Sequence, residues 1–209
     1  MGFVFNNQGG SITNSSVGMN NRVSINYAKH SPTPIPPTSR GPWRVFLSHT
    51  SELRRYPAHC SYIHHAEEGV IAAGHVPISM KHFPAVDEPP IIYDSRRVEE
   101  CDIYLGIYGL RWGTPVLENP NISYTEDEFN QATAKGITRL IFIIDTNSTE
   151  LGIPPSALLD PDHGHHQQAF LKRVLNSGLV ANFFSNPYDL KGKVERSLRE
   201  IEQLPKSLA

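Results

Sequence analysis

The order of apolar runs after residue 42 constrains the fold of this chain more than any other sequence feature. Five short runs of strand length alternate with segments of helical periodicity. Parallel strands need a long crossover, usually a helix, to reach the next strand, and their apolar runs are nearly continuous because helices cover both faces. The sequence therefore predicts an α/β domain, a three-layer sandwich with a five-stranded parallel sheet in flavodoxin-like order. The predicted strands are 43–49, 75–80, 102–109, 139–145 and 180–184.

The helical segments between these runs support the same architecture. The first helical segment ends at Gly74, and glycine is the residue that most readily ends a helix in the left-handed conformation. We expect 45–47, 103–107 and 140–144 to be central in the sheet, because central parallel strands are buried on both faces. The predicted helices are 58–74, 94–101, a helix that opens with SYTEDEF at residue 123, 165–178 and 189–204.

The first 42 residues differ in composition from the rest of the chain. Residues 1–30 are rich in Asn, Gly and Ser, and two interpretations are open: a disordered tail, or a segment that stacks on copies of itself as a cross-β ladder. Residues 31–42 contain five prolines and are predicted to form a semi-rigid linker. The α/β domain is then predicted to cover 43–204, followed by a tail at 205–209.

Charge and composition exclude several classes of partner. The formal net charge is −2, so the sequence carries no basic footprint for nucleic acid or for an anionic membrane. The longest apolar run, 140–144, is too short to cross a bilayer, and the chain does not open with a secretory signal pattern. Only two cysteines are present, which is typical of a reducing compartment. We therefore predict a cytoplasmic protein.

A ligand site is expected where the parallel strands end. In doubly wound sheets, ligands bind beyond the carboxyl ends of the strands, which here are followed by loops 48–54, 109–123 and 145–167. The first loop offers hydroxyls and amides that suit an anion or a ribose. Two residues of the second loop have two interpretations each. Arg111 is either a ligand contact or a solvated charge, and Trp112 is either a ligand contact or a cover over the edge of the core. The tract DHGHH at 162–166 lacks the ligands that would complete a metal site, so no metal is predicted.

Two glutamates open the helix that follows the second loop. Ser123-x-x-Glu126 and Thr125-x-x-Glu128 both have the spacing of a capping box, in which the acid reaches back to the amide of the cap residue. Only one register can hold. Residues two apart point to roughly opposite sides of a helix, and Glu128 falls at the edge of the predicted buried stripe. We therefore predict that Glu126 serves the cap and that Glu128 is the functional acid.

Four segments together resemble a known family. RVFLSHTSELR, CDIYLGIYGLRWGTPV, SYTEDEFNQA and RLIFIID are similar to the TIR-like domain at the N-termini of bacterial NTPase–TPR signalling proteins, a distant relative of TIR domains and of nucleoside 2-deoxyribosyltransferases. The resemblance covers about 43–204 and implies the TIR-like form of the predicted fold. Ser123, Thr125 and Glu128 fit the Ser-x-Thr-x-x-Glu run whose glutamate, in the deoxyribosyltransferases, works at the anomeric carbon.

The resemblance implies a function and leaves two classes open. The first is an enzyme that cleaves the N-glycosidic bond of NAD or a related nucleotide in a defence response, with Glu128 catalytic and no cofactor. The second is a non-catalytic adaptor or nucleotide sensor that acts by oligomerisation. Residues 1–30 resemble amyloid-signalling motifs, which implies self-association and recruitment by an NLR-like sensor. The predicted substrate-binding residues are Ser48, His49, Thr50, Arg111, Trp112, Gly113, Ser123 and Thr125.

Overall fold

The structure is a computed structural model that describes residues 41–78, 98 and 100–203. The predictions for 1–30 and for the tail at 205–209 lie outside the described residues. So do most of the linker at 31–42 and most of the helix predicted over 94–101.

The main sheet has five parallel strands in the order β2-β1-β3-β6-β7. The chain moves outward to one edge and then returns past its first strand to build the other half, which is the flavodoxin-like order. The predicted fold class is therefore confirmed, and the three runs expected at the centre occupy β1, β3 and β6. The strands are β1 Arg44–His49, β2 Val76–Ile78, β3 Ile103–Tyr108, β4 Pro115–Val116, β5 Asn119–Ser123, β6 Thr138–Ile144 and β7 Ala181–Phe184.

The helices follow the predicted pattern, with a later start of the first long helix and with short elements that the sequence did not predict. The first long helix begins at Tyr62 and not at residue 58, because the Ser61 hydroxyl accepts a hydrogen bond from the amide of His64 and caps it. Two short helices and the antiparallel hairpin β4–β5 were not predicted, since each is too short to show a period. The helices are α1 Ser51–Arg55, α2 Tyr62–Ala72, α3 Tyr124–Ala134, α4 Pro155–Leu158, α5 Gly164–Leu175 and α6 Pro187–Gln203.

Alternation along the strands divides the core into two layers. In β1, Val45 and Leu47 pack in the layer that contains residues of α2 and α6, whereas Phe46 packs in the layer of α3 and α5. Successive side chains of a strand point to opposite faces, so one apolar strand supplies both layers. Burial of each large side chain contributes roughly 1.5–3 kcal/mol, which makes the two layers the main source of stability. Among the described residues, none of the helices is both long and apolar enough to cross a membrane.

Candidate functional site at the carboxyl edge of the sheet

The site centres on a hydrogen bond between two residues that are 80 positions apart. Ser48 is the penultimate residue of β1, and its Oγ donates to Oε2 of Glu128, in the second turn of α3, at 2.5 Å. Both side chains are buried, with 1% and 4% of their surface exposed. A carboxylate held this closely by a hydroxyl is fixed in one orientation at the edge of the sheet. The structure thus brings together two of the predicted site residues.

Two buried tyrosines lie in the same layer as this pair. Tyr104 and Tyr108 of β3 share a hydrogen bond of 2.9 Å between their hydroxyls. Burial raises the pKa of both phenols, and the charge of Glu128 raises them further. Both phenols therefore remain protonated near the carboxylate. The motif Tyr-x-Gly-x-Tyr places all three residues on one face of a strand, and that signal could have identified the tyrosines from the sequence.

Glu126 has a different role from the one predicted. Its amide donates to Ser123 Oγ at 3.2 Å, so Ser123 is the helix cap, as expected. Its carboxylate accepts instead from Trp112 Nε1 at 3.4 Å and from Arg173 at 2.8 Å. The prediction that this carboxylate completes a capping box is therefore wrong, because a buried indole and a guanidinium offer it partners outside the helix.

This role predicts a measurable loss of stability. Glu126→Ala leaves the Trp112 Nε1 donor buried without a partner and removes the ion pair with Arg173. We expect the free energy of unfolding to fall by about 2–3 kcal/mol, the usual cost of an unsatisfied buried group together with a lost charged hydrogen bond. Denaturant titration measures it. Glu118→Ala, at an exposed glutamate of the hairpin loop, is the matched control and should change the value by less than about 0.5 kcal/mol.

Trp112 is covered on its ring face as well as at its nitrogen. The indole is 1% exposed and stacks on His166 and His163, with ring centroids 4.6 and 5.3 Å away. Its amide donates to Asp160 at 3.2 Å. Of the two interpretations of this residue, the structure places it in the position of a cover over the core.

Gly113 brings several predicted residues to one point. Its φ is +90°, a conformation that glycine adopts without strain. A Cβ at this position would lie 3.5 Å from Thr125 Oγ1, 3.6 Å from Thr50 Cγ2 and 3.9 Å from Ser123 Cβ. The turn at Gly113 therefore lies against both the loop after β1 and the start of α3.

The ring of His49 has both nitrogens engaged. Nε2 accepts from Arg54 Nε at 3.2 Å, so Nδ1 carries the proton and donates to the carbonyl of Thr50 at 3.0 Å. Arg54 in turn pairs with Glu67 at 3.2 Å. Burial lowers the pKa of His49 to about 4, and the charge of Arg54 acts in the same direction. The imidazole is therefore neutral at pH 7 and anchors the loop after β1.

The depressed pKa of His49 gives the stability a defined pH dependence. A group with a lower pKa in the folded state binds fewer protons there, so stability falls as the pH drops from about 6.5 toward 4. We expect the wild type to lose about 2–3 kcal/mol more than His49→Gln between pH 7 and pH 4. Urea denaturation at both pH values measures the difference. The exposed His59→Gln serves as control and should follow the wild type; equal losses in the wild type and His49→Gln would contradict the assignment.

A buried acid that the sequence analysis did not single out lies in the same loop. Glu52 is 3% exposed, and its Oε1 accepts from Thr50 Oγ1 at 2.6 Å. Its Oε2 has no hydrogen-bond partner among the residues that the structure describes. Burial raises the pKa of this carboxyl, and the Thr50 hydroxyl, the backbone amides of Glu52 and Arg111 and the charge of Arg111 oppose the shift. Perturbed acids of this kind are concentrated at functional sites.

Arg111 lies in a pocket with Glu52 and not with the Ser48–Glu128 pair. One guanidinium nitrogen donates to the carbonyl of Leu159 at 2.7 Å. The pocket has a volume of about 230 Å³. Four of the predicted residues thus lie in two places. Ser48 bonds to Glu128, whereas Arg111 and Thr50 both lie beside Glu52. The lining residues are Ser51, Glu52, Arg55, Tyr56, Arg111, Ser156 and Ala157.

No metal centre is formed within the part of the chain that the structure describes. No group of three or more His, Cys, Asp or Glu side chains in 41–78, 98 and 100–203 could hold a metal ion. Two histidines of the DHGHH tract, His163 and His166, stack instead on Trp112, and Asp160 accepts from the amides of Trp112 and His163.

The fold and the site define a doubly wound α/β domain with acidic side chains at the carboxyl edge of its sheet. Residues 44–199 match the family model of the domain of unknown function DUF4062, so the chain belongs to this family. No curated protein matches the sequence. Among solved structures, it is similar to TIR domains in the "Structure of the activated Roq1 resistosome directly recognizing the pathogen effector XopQ". The identity is 10%, 78% of this chain and 85% of that chain are covered, and the TM-score is 0.40.

Proposed function

We propose that this domain is a TIR-like effector that cleaves the N-glycosidic bond of NAD or a related nucleotide. The hydrogen bond between Ser48 and Glu128 is the observation that carries the proposal, because it holds one carboxylate at the end of a central strand. The resemblance of the Ser123, Thr125 and Glu128 run to that of nucleoside-processing relatives supports the same residue as the acid.

The chemistry requires one carboxylate near the anomeric carbon. When the C1′–N bond of NAD breaks, its electron pair goes to the ring nitrogen and nicotinamide leaves as a neutral molecule. The positive charge that develops at C1′ is stabilised by a fixed negative group, which is the role proposed for Glu128. Water then attacks C1′ and releases a proton, giving ADP-ribose. Ser48 would be a positioning residue that sets the orientation of the carboxylate.

A second candidate function, a non-catalytic signalling module, is favoured by one observation. Glu128 is 4% exposed and already bonded to Ser48, so a nucleotide reaches it only if the surrounding loops open. In such a module the pair would serve only to fasten α3 to the sheet.

Assembly is part of the proposal. Asn-rich segments of low charge can stack as cross-β ladders, and 1–30 holds only two cations, Arg22 and Lys29. Such stacking would recruit this domain to an NLR-like sensor and to copies of itself. If NAD cleavage requires assembly, the rate of cleavage should rise more steeply than in proportion to protein concentration. Removal of residues 1–30 should then make the specific activity independent of concentration.

The experiment that tests the proposed function is NAD turnover by the wild type. Fluorescence of an etheno-NAD analogue, with chromatographic measurement of nicotinamide, is followed at low and at high protein concentration. Stoichiometric release of nicotinamide and ADP-ribose supports the enzyme. No release at any concentration, with the protein shown to be folded and assembled, assigns the domain to the second candidate.

A further inference from the structure

The pocket around Glu52 combines features that a purely structural role does not explain. A buried carboxylate normally has both oxygens hydrogen-bonded, because an unpaired buried acceptor costs the full penalty of its desolvation. Glu52 Oε2 lacks a partner among the described residues, and the same side chain lines a cavity of about 230 Å³. Oε2 is covered in this structure, so a hydroxyl from a bound molecule would supply the missing donor once the Glu52 side chain turns toward the cavity.

Two arginines, Arg55 and Arg111, line the same pocket and give it positive charge. Arg55 is exposed and has no hydrogen-bond or ion-pair partner among the residues that the structure describes. Arg111 uses one guanidinium nitrogen for the Leu159 carbonyl. A guanidinium presents five donors in a fork that matches phosphate oxygens, so both arginines can bind an anion.

The combination restricts the chemistry of the ligand. An anion placed directly on Glu52 would be repelled, and an ammonium group would face two guanidinium charges. The cavity is smaller than the roughly 300–1,000 Å³ of typical small-molecule sites, so it suits a fragment and not an entire dinucleotide. A molecule with a phosphate at one end and hydroxyls at the other satisfies all three conditions.

We propose that this pocket binds a sugar phosphate, with the phosphate on Arg55 and Arg111 and a sugar hydroxyl on Glu52. The ligand is a free pentose phosphate or the corresponding part of a dinucleotide. If the ligand is part of a dinucleotide, the inference rests on the proposed function. The pocket would then hold the sugar phosphate of NAD that lies away from Glu128.

Titration calorimetry on the full chain tests the proposal with ribose 5-phosphate, ribose, inorganic phosphate and ADP-ribose. The wild type should bind ribose 5-phosphate at least tenfold more tightly than ribose or phosphate. Arg55→Gln should weaken that binding by roughly tenfold or more, the usual effect of one lost charged hydrogen bond. Arg196→Gln, at an exposed arginine of α6, is the matched control and should bind within twofold of the wild type. Glu52→Gln should weaken the binding of ribose 5-phosphate but should not weaken the binding of inorganic phosphate.

Two results would overturn the proposal. One is no binding of ribose 5-phosphate by the folded wild type at millimolar concentration; the other is equal affinity in the wild type and Arg55→Gln. Tighter binding of ADP-ribose than of ribose 5-phosphate identifies the dinucleotide as the source of the group, and equal binding identifies the free sugar phosphate. If the protein releases nicotinamide from NAD but does not bind ribose 5-phosphate, only the sugar-phosphate site is wrong. If it binds ribose 5-phosphate but releases no nicotinamide, only the proposed function is wrong.

Discussion

Glu128→Gln is expected to lower the rate of NAD cleavage by roughly one to three decades, while nucleotide binding survives. The substitution removes the charge that would stabilise the transition state, a loss that typically amounts to about 2–4 kcal/mol. An amide retains an acceptor for the Ser48 hydroxyl, so the buried hydrogen bond and the fold should persist. The measurement is steady-state release of nicotinamide at matched folded fraction, with binding of NAD determined separately.

The neighbouring Asp127→Asn is the matched control for this prediction. It removes the same charge one residue away on α3, from a half-buried carboxyl that accepts from Gln131 and not from Ser48. Its turnover should stay within about threefold of the wild type, a change of less than about 1 kcal/mol. Equal losses in both variants would show that the net charge of the helix matters, and would remove the specific assignment to Glu128.

Gly106→Ala is expected to cost about 3 kcal/mol of stability or more, the largest structural effect that we predict. A Cβ on Gly106 would clash with Tyr108 Oη and lie 2.6 Å from its Cζ, because the tyrosine ring folds back across the glycine to reach Tyr104. Both tyrosines are fully buried, so the ring has no room to withdraw. Overpacking of a closed core usually costs about 1–3 kcal/mol, and here the contact is with a rigid ring.

A glycine-to-alanine substitution in α6 is expected to raise the stability instead of lowering it. Gly192 lies within α6, and a Cβ there would meet nothing within 4 Å. Gly192→Ala should therefore stabilise the protein by about 0.5–1 kcal/mol through helix propensity. Urea denaturation compares the two variants with the wild type. A Gly106→Ala variant as stable as the wild type would mean that Tyr108 does not lie across this glycine.

The architecture was predictable because it depends on patterns that repeat along the chain. The apolar runs that became β1, β3 and β6 are continuous, as expected of strands covered on both faces. The hairpin β4–β5 left no such signal, since β4 has two residues and β5 is mostly exposed. The start of α2 was placed too early because Ser61, the cap, is preceded by residues that continue the helical pattern.

The composition of the site was only partly predictable, because a local sequence does not show which distant residues will hydrogen-bond to a given side chain. Spacing left Ser123 and Thr125 as alternative caps, the position of Glu128 at the edge of the buried stripe favoured Ser123, and the structure agrees. The partners of Glu126 are 14 and 47 positions away, so the capping-box spacing could not show that they would capture its carboxylate. Glu52 was overlooked for a related reason: burial, which makes an acid unusual, is a property of the folded chain and not of the sequence around it.

A crystal structure of Glu128→Gln bound to NAD tests the catalytic role of Glu128. The variant is expected to hold the intact substrate, because binding survives while cleavage is slow. We expect the nicotinamide ribose within hydrogen-bond distance of position 128, with C1′ facing that side chain and Ser48 still bonded to it. A nucleotide bound elsewhere, with the side chain at position 128 still buried between α3 and the sheet, would contradict the catalytic assignment.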